Sequence, residues 1–177
     1  MKSVNLKFGW LVLSLALLSF NAIAREKTFD QSVLSEKGRE AYQTLLKVEL
    51  FALGGVGYGG SSSEGEQALD ILVQEKQAIP AFRSLVKIST PEGGLYALVG
   101  LKMLNCDCLK EELTNYRSLP EPPARKENTR DKIEKGNVER MRGCFIFQES
   151  RLKIAGDIET DKEEIKWKLD NSAKKKQ

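Results

Sequence analysis

The sequence predicts a mainly α-helical protein of stacked helical hairpins, arranged in a HEAT-like way, with a small irregular or short-strand appendage near the C-terminus. Three observations predict it. Between Asp30 and about Leu53, apolar residues recur three, four or seven positions apart, the spacing of one buried helix face. Glycine, proline and capping residues punctuate these runs where hairpin connections would fall. A weak internal repeat sets Gly65-x-x-Ala68-Leu69-x-x-Leu72 against Gly94-x-x-Ala97-Leu98-x-x-Leu101 at an offset of 29 residues. Stacked helix pairs need such matched small and large residues, because one hairpin cannot bury its own face.

The elements follow in order. Leu34, Ala41, Leu45, Val48 and Ala52 mark a first helix from Asp30 to about Leu53, weakened locally by Gly38. It ends at Gly54, because five glycines fall between Gly54 and Gly60 and such a run cannot stay helical. Gly57, Tyr58, Gly59, Gly60 and Ser61 read as a tight surface turn. The competing reading is an anion held by backbone N–H groups near Ser63 at a helix start. Tyr58 suits either an exposed contact or a plug against the core.

Ser63 lies three residues before Glu66, the spacing of a capping box, and Ala68, Leu69, Leu72 and Val73 form the buried stripe behind it. A third helix carries Ile79, Phe82, Leu85 and Val86, with Pro80 tolerated in its first turn. Thr90 and Pro91 are the N-cap and first position of a fourth helix, and Leu95 to Leu104 is apolar enough to occupy the centre of the core. Asp107 is the expected cap of a short helix with Leu113 and Tyr116.

Leu119-Pro120-Glu121-Pro122-Pro123 opens a polar linker to residue 137. Val138, Met141 and Cys144 to Phe147 then form a short strand or buried turn, and Ile154 and Ile158 a short helix from near Ser150. Beyond Thr160 the chain is charged, with Ile165, Trp167 and Leu169 alternating as in an edge strand or a loosely held amphipathic tail. The predicted division is a helical region over 25–118, a linker over 119–137, an appendage over 138–160 packed on the helices and a tail over 161–177.

The Gly-rich turn, Ser63-x-Gly65-Glu66-x-Ala68, the run Leu95-Tyr96-Ala97-Leu98-Val99-Gly100-Leu101-Lys102 and the later Arg142-Gly143-Cys144 occur in this order. From about Phe51 to Ile158 the chain resembles a group of exported bacterial proteins of unknown function. That resemblance implies a helical, HEAT-like body and brings no activity with it.

Lys2 and Lys7, the apolar run Phe8 to Leu18, and Ala22-Ile23-Ala24 have the three parts of a cleaved export signal. Residues 1–24 are therefore expected to be removed and the protein to be periplasmic or secreted. The apolar run is shorter than the roughly 20 residues a spanning helix needs, and nothing after it is apolar enough to span. Cleavage would remove two lysines and no acids, taking 28 basic and 25 acidic residues to 26 and 25. Near neutrality argues against a nucleic-acid partner, which wants a basic surface. Lys174-Lys175-Lys176 reads as a solvated tail.

Chemistry is constrained most by an absence, since the chain has no histidine. Ser-His-Asp and Cys-His catalysis lose their base, and the usual zinc-hydrolase ligand sets lose their imidazoles. Gly55-x-Gly57-x-x-Gly60 matches the dinucleotide fingerprint but lacks its strand and parallel sheet. Ser84-x-x-Lys87 lacks the supporting motifs of a serine–lysine pair, and Glu111-Glu112 and Glu163-Glu164 read as surface charge. No catalytic residue, cofactor or metal is assigned.

Three cysteines in an exported chain permit one disulfide. Cys108 to Cys144 is expected, with Cys106 as the alternative, closing a loop worth roughly 4 kcal/mol in the chain-entropy model. A redox enzyme would want a C-x-x-C that is absent. The expected role is a noncatalytic binding or scaffold module of the cell envelope, its partner another envelope protein or a cell-wall component. The alternatives are a glycan-acting enzyme using paired carboxylates and a structural or stress protein without a specific ligand.

Overall fold

The structure, a computed structural model, describes residues 29–126 and 132–174. The expected export signal, residues 1–24, and the last three residues lie outside the described residues. The described chain is mostly helical, with a small mixed sheet. A 3-10 turn, Gln31–Val33, precedes α1, Glu36–Lys47. The first helix is shorter than its periodicity suggested because Ser35 caps it, its Oγ accepting from Gly38 N–H at 3.0 Å. The chain then becomes β1, Leu50–Phe51, and the glycine run folds into an antiparallel hairpin of β2, Gly55–Val56, and β3, Ser61–Ser62.

Three helices follow: α2, Glu64–Leu72; α3, Ala78–Ile88; and α4, Pro91–Met103. Ser63 caps α2 as expected, accepting from Glu66 N–H at 3.1 Å. Glu66 does not complete the capping box; its carboxylate instead accepts from Gly54 N–H at 3.0 Å and meets Lys168. Pro80 sits in the first turn of α3, and Thr90 caps α4 with Pro91 at its start. Helix α4 is buried on nearly every side, as its composition required. Close packing there depends on glycine. A Cβ on Gly65 would lie 2.4 Å from the Tyr96 ring, and one on Gly94 2.6 Å from the Tyr116 ring. The two glycines of the internal repeat thus each receive a tyrosine.

Helix α5, Leu109–Ser118, is capped at Cys108 rather than Asp107. The expected linker contains a small antiparallel pair, β4, Arg125–Lys126, with β5, Lys132–Ile133. The later apolar cluster is a longer hairpin than predicted, β6, Asn137–Arg142, and β7, Phe145–Ser150. Strand β6 lies parallel to β1, pairing Phe51 with Arg140, so the sheet order is β1-β6-β7 and β7 is the outer strand. Phe145 and Ile146 are consequently exposed rather than buried against the helices.

Helix α6, Arg151–Glu159, begins where Ser150 suggested. Its buried Arg151 donates to the Tyr116 and Leu119 carbonyls at 2.9 and 2.5 Å, and lies over the Tyr116 ring. These bonds add a charged donor to the carbonyls at the end of α5, where Tyr116 also accepts from Leu119 N–H. The last element, α7, Glu163–Lys174, is a helix and not an edge strand, with Ile165 in the core. Helices α1 with α2 and α3 with α4 make the most extensive helix contacts, and α4 also meets α6.

Candidate functional site

The glycine run makes a turn that only glycine enters cheaply: Gly57 and Gly60 have φ of +69° and +59°. Gly57 N–H donates to the Gly143 carbonyl at 2.9 Å, so the β2–β3 turn is latched to the β6–β7 turn, where Gly143 has φ of +58°. Two turns far apart in sequence therefore share one face. Tyr58 next to the latch is fully exposed, resolving its two readings in favour of a surface position, and Phe145 two residues past Gly143 is 78% exposed. Gly59, Gly60 and Ser61 are exposed on the same hairpin.

Behind the latch lies an open cleft of about 780 Å³ between β6, α6 and α7. Gly55, Gly143, Arg142 and Trp167 line it. Trp167 also packs near Gly54, whose φ of +85° turns the chain into the hairpin. The floor is a charge cluster around Arg140, 2% exposed, which is bonded to Glu149 and Glu164, lies 3.8 Å from Asp157 and stacks over Phe51. Arg142 reaches Glu164 at 3.2 Å, and Lys153 pairs with Glu149.

The cluster favours the charged form of Glu149. Burial raises the Glu149 carboxyl, but bonds from Lys153 and Arg140 outweigh it and hold the group below the usual carboxylate range. For Arg140, burial works against the charge, and Glu164 with Glu149 more than compensates, raising it above an ordinary guanidinium. Glu149 is thus an ion already committed to cations, whereas a general acid must keep its proton near neutral pH.

A second buried cluster adjoins the other side of Trp167. Lys168 Nζ lies 2.8 Å from Glu66 and 2.6 Å from Asp70, tying α7 to α2. Neither cluster was foreseen, because each joins residues distant in sequence and a buried Arg or Lys reads as polar surface in a periodicity count. Glu92 was missed for the same reason. Its fully buried carboxyl meets Arg125, and burial raises its pKa against the pull of that arginine.

The other sequence candidates separate. Ser84 Oγ is 3.0 Å from the Tyr42 hydroxyl, which gives it a structural partner. Glu111 and Glu112 both engage Arg83, at 3.1 and 2.6 Å. The expected clamp from Cys108 to Cys144 is replaced by a Cys106–Cys108 disulfide, while Cys144 is an exposed free thiol beside the latch. Cys106 cannot serve as the alternative partner of Cys144 for the same reason. A two-residue separation allows the pair to meet in the turn before α5, and the β6–β7 turn carries Cys144 to the outer surface. Among the described residues, no cluster of three or more His, Cys, Asp or Glu could hold a metal ion, and no helix is long and apolar enough to cross a membrane. Comparison with family models, curated proteins and solved structures finds no match for the chain.

Proposed function

We propose that the protein is an exported, noncatalytic binding module of the bacterial envelope, docking a partner protein through the two latched turns. The observation that carries this reading is the exposure of Tyr58 and Phe145 on turns fixed to each other by the Gly57–Gly143 bond. Exposed aromatic groups on a pre-shaped surface lose little entropy on binding, and Tyr, Trp and Arg dominate the energy of protein interfaces. Trp167 and the largely exposed Arg142 extend the same composition into the cleft. A protein therefore suits this face better than a cell-wall glycan. The competing glycan-acting enzyme needs an acid that keeps its proton, and the Arg140 cluster supports the opposite assignment for Glu149.

The proposed location rests on the signal-like residues 1–24 and on the resemblance to exported bacterial proteins. We read the paired α1–α2 and α3–α4 hairpins, with the Gly65 and Gly94 repeat, as HEAT-like stacking that serves as the scaffold. Mild crosslinking in the native envelope, followed by purification and mass spectrometry, tests the function. The same protein partner should be recovered repeatedly and lost from a Tyr58→Ala, Phe145→Ala double variant. Those substitutions touch no core contact, so stability should change by less than about 0.5 kcal/mol per site. Recovery of the protein alone, or capture indifferent to both substitutions, would reject the reading.

A further inference from the structure

The turn between α4 and α5 carries chemistry that the docking face does not use. Cys106 and Cys108 are joined across the single residue Asp107. A link this short restricts few unfolded conformations, and the stabilisation from a disulfide grows with the loop it closes. As a staple the bond contributes little.

Its surroundings favour exchange instead. Cys108 is the N-cap of the ten-residue helix α5 and makes no side-chain capping bond. As the N-cap, it stands at the positive end of the helix, which favours a negative charge released there. The Cys108 N–H donates to Cys106 Sγ at 3.3 Å, so the other sulfur also has a donor that favours negative charge. Both cysteines are half-buried and pack against the core, while Asp107 between them is exposed. The pair thus sits at the edge of the core, partly covered by it.

We propose that Cys106–Cys108 is a redox-active pair that exchanges disulfides with two-cysteine segments of other proteins. A client thiolate attacks Cys106 Sγ and forms a mixed disulfide; the Cys106–Cys108 bond breaks, and its electron pair leaves on Cys108. Departure on Cys108 places the released charge at the N-terminus of α5, where the helix end stabilises it. The client's second thiol loses its proton and attacks the client sulfur of the mixed disulfide, releasing Cys106. The client gains one disulfide, and the pair takes up two electrons and two protons to become a dithiol. In reverse, the dithiol reduces a client disulfide. The exchange is stoichiometric, one disulfide per molecule, and does not depend on the docking reading.

The test uses the protein with Cys144→Ser, which leaves only the pair to count. It is equilibrated with mixtures of reduced and oxidised glutathione, acid-quenched, alkylated and mapped by mass spectrometry, with helical circular dichroism recorded alongside. At a fixed total glutathione concentration in the millimolar range, the pair should pass from disulfide to dithiol before reduced glutathione reaches about a hundredfold excess over the oxidised form, with the helical signal retained. The oxidised protein should also convert one equivalent of a two-cysteine peptide to its disulfide, and Cys106→Ser or Cys108→Ser, checked for retained helicity, should abolish this. A bond that resists this excess, reduction that unfolds the helices, or a disulfide from Cys144 to either cysteine in the unsubstituted protein would overturn the proposal.

Discussion

Tyr96 shows how much one hydroxyl organises. It accepts from Ala52 N–H, donates to the Ala52 carbonyl, each at 2.8 Å, and lies 3.0 Å from Ser63 Oγ. Burial is the main reason its pKa is pushed up to about 12. Its ring fits only because position 65 has no side chain. Gly65→Ala should therefore lower stability by about 1–3 kcal/mol, the usual cost of overpacking, as measured by urea denaturation. Glu92 offers a prediction of a different kind. Its raised pKa means the folded protein holds that proton more tightly than the unfolded chain, so its contribution to stability is largest below the ordinary carboxylate range. That contribution is lost as pH rises through the raised value. The stability of the natural protein minus that of Glu92→Gln should accordingly fall between acidic and neutral pH; a flat difference would contradict the assignment. Sequence spacing identified Ser63 as a cap but could not show that Glu66 turns away from it, because its partner Lys168 is 102 residues distant.

At the scale of elements, Arg140 decides how β6, β7 and α7 sit together. Replacing it with alanine leaves Glu149 only Lys153 and Glu164 only Arg142, and breaking a buried ion pair from one side costs up to about 3–5 kcal/mol. Arg140→Ala should lose that much in chemical denaturation, with α7 the first element to lose amide-exchange protection. Glu149 gives the pair its pH dependence. Because its folded pKa is lowered, its contribution is present above the ordinary carboxylate range and fades as pH falls through the lowered value. The helices were largely legible, since Ser63, Thr90, Pro91 and the apolar stripes act within a few residues. For helix α7 the sequence left an edge strand and an amphipathic tail open for a definite reason. Ile165, Trp167 and Leu169 alternate like a strand, while the residue that completes its inward face is the buried Lys168, which a hydrophobicity pattern counts as exposed. The β6–β7 hairpin was misplaced because the aromatic residues of an outer strand need not be covered.

At the scale of the molecule, the proposed site was legible only in fragments. The glycine run announced a turn and Arg142-Gly143-Cys144 stood out as a motif, but nothing in their separation said that Gly57 and Gly143 would bond. The cysteines show the same limit: composition allowed one disulfide, and the turn before α5 determined which. A further consequence follows from the α7 clusters. During synthesis, Glu66 emerges long before Lys168 and Glu164 long after Arg140, so the carboxylate of α2 and the guanidinium of β6 wait without these partners while the rest of the chain is made. The glycine hairpin, positioned through Gly54 by Glu66 and Trp167, acquires its final support only when the last helix closes. The surface proposed to meet a partner is thus among the last parts of the protein to be completed, and a nascent chain that lacks α7 presents that surface without its finished shape.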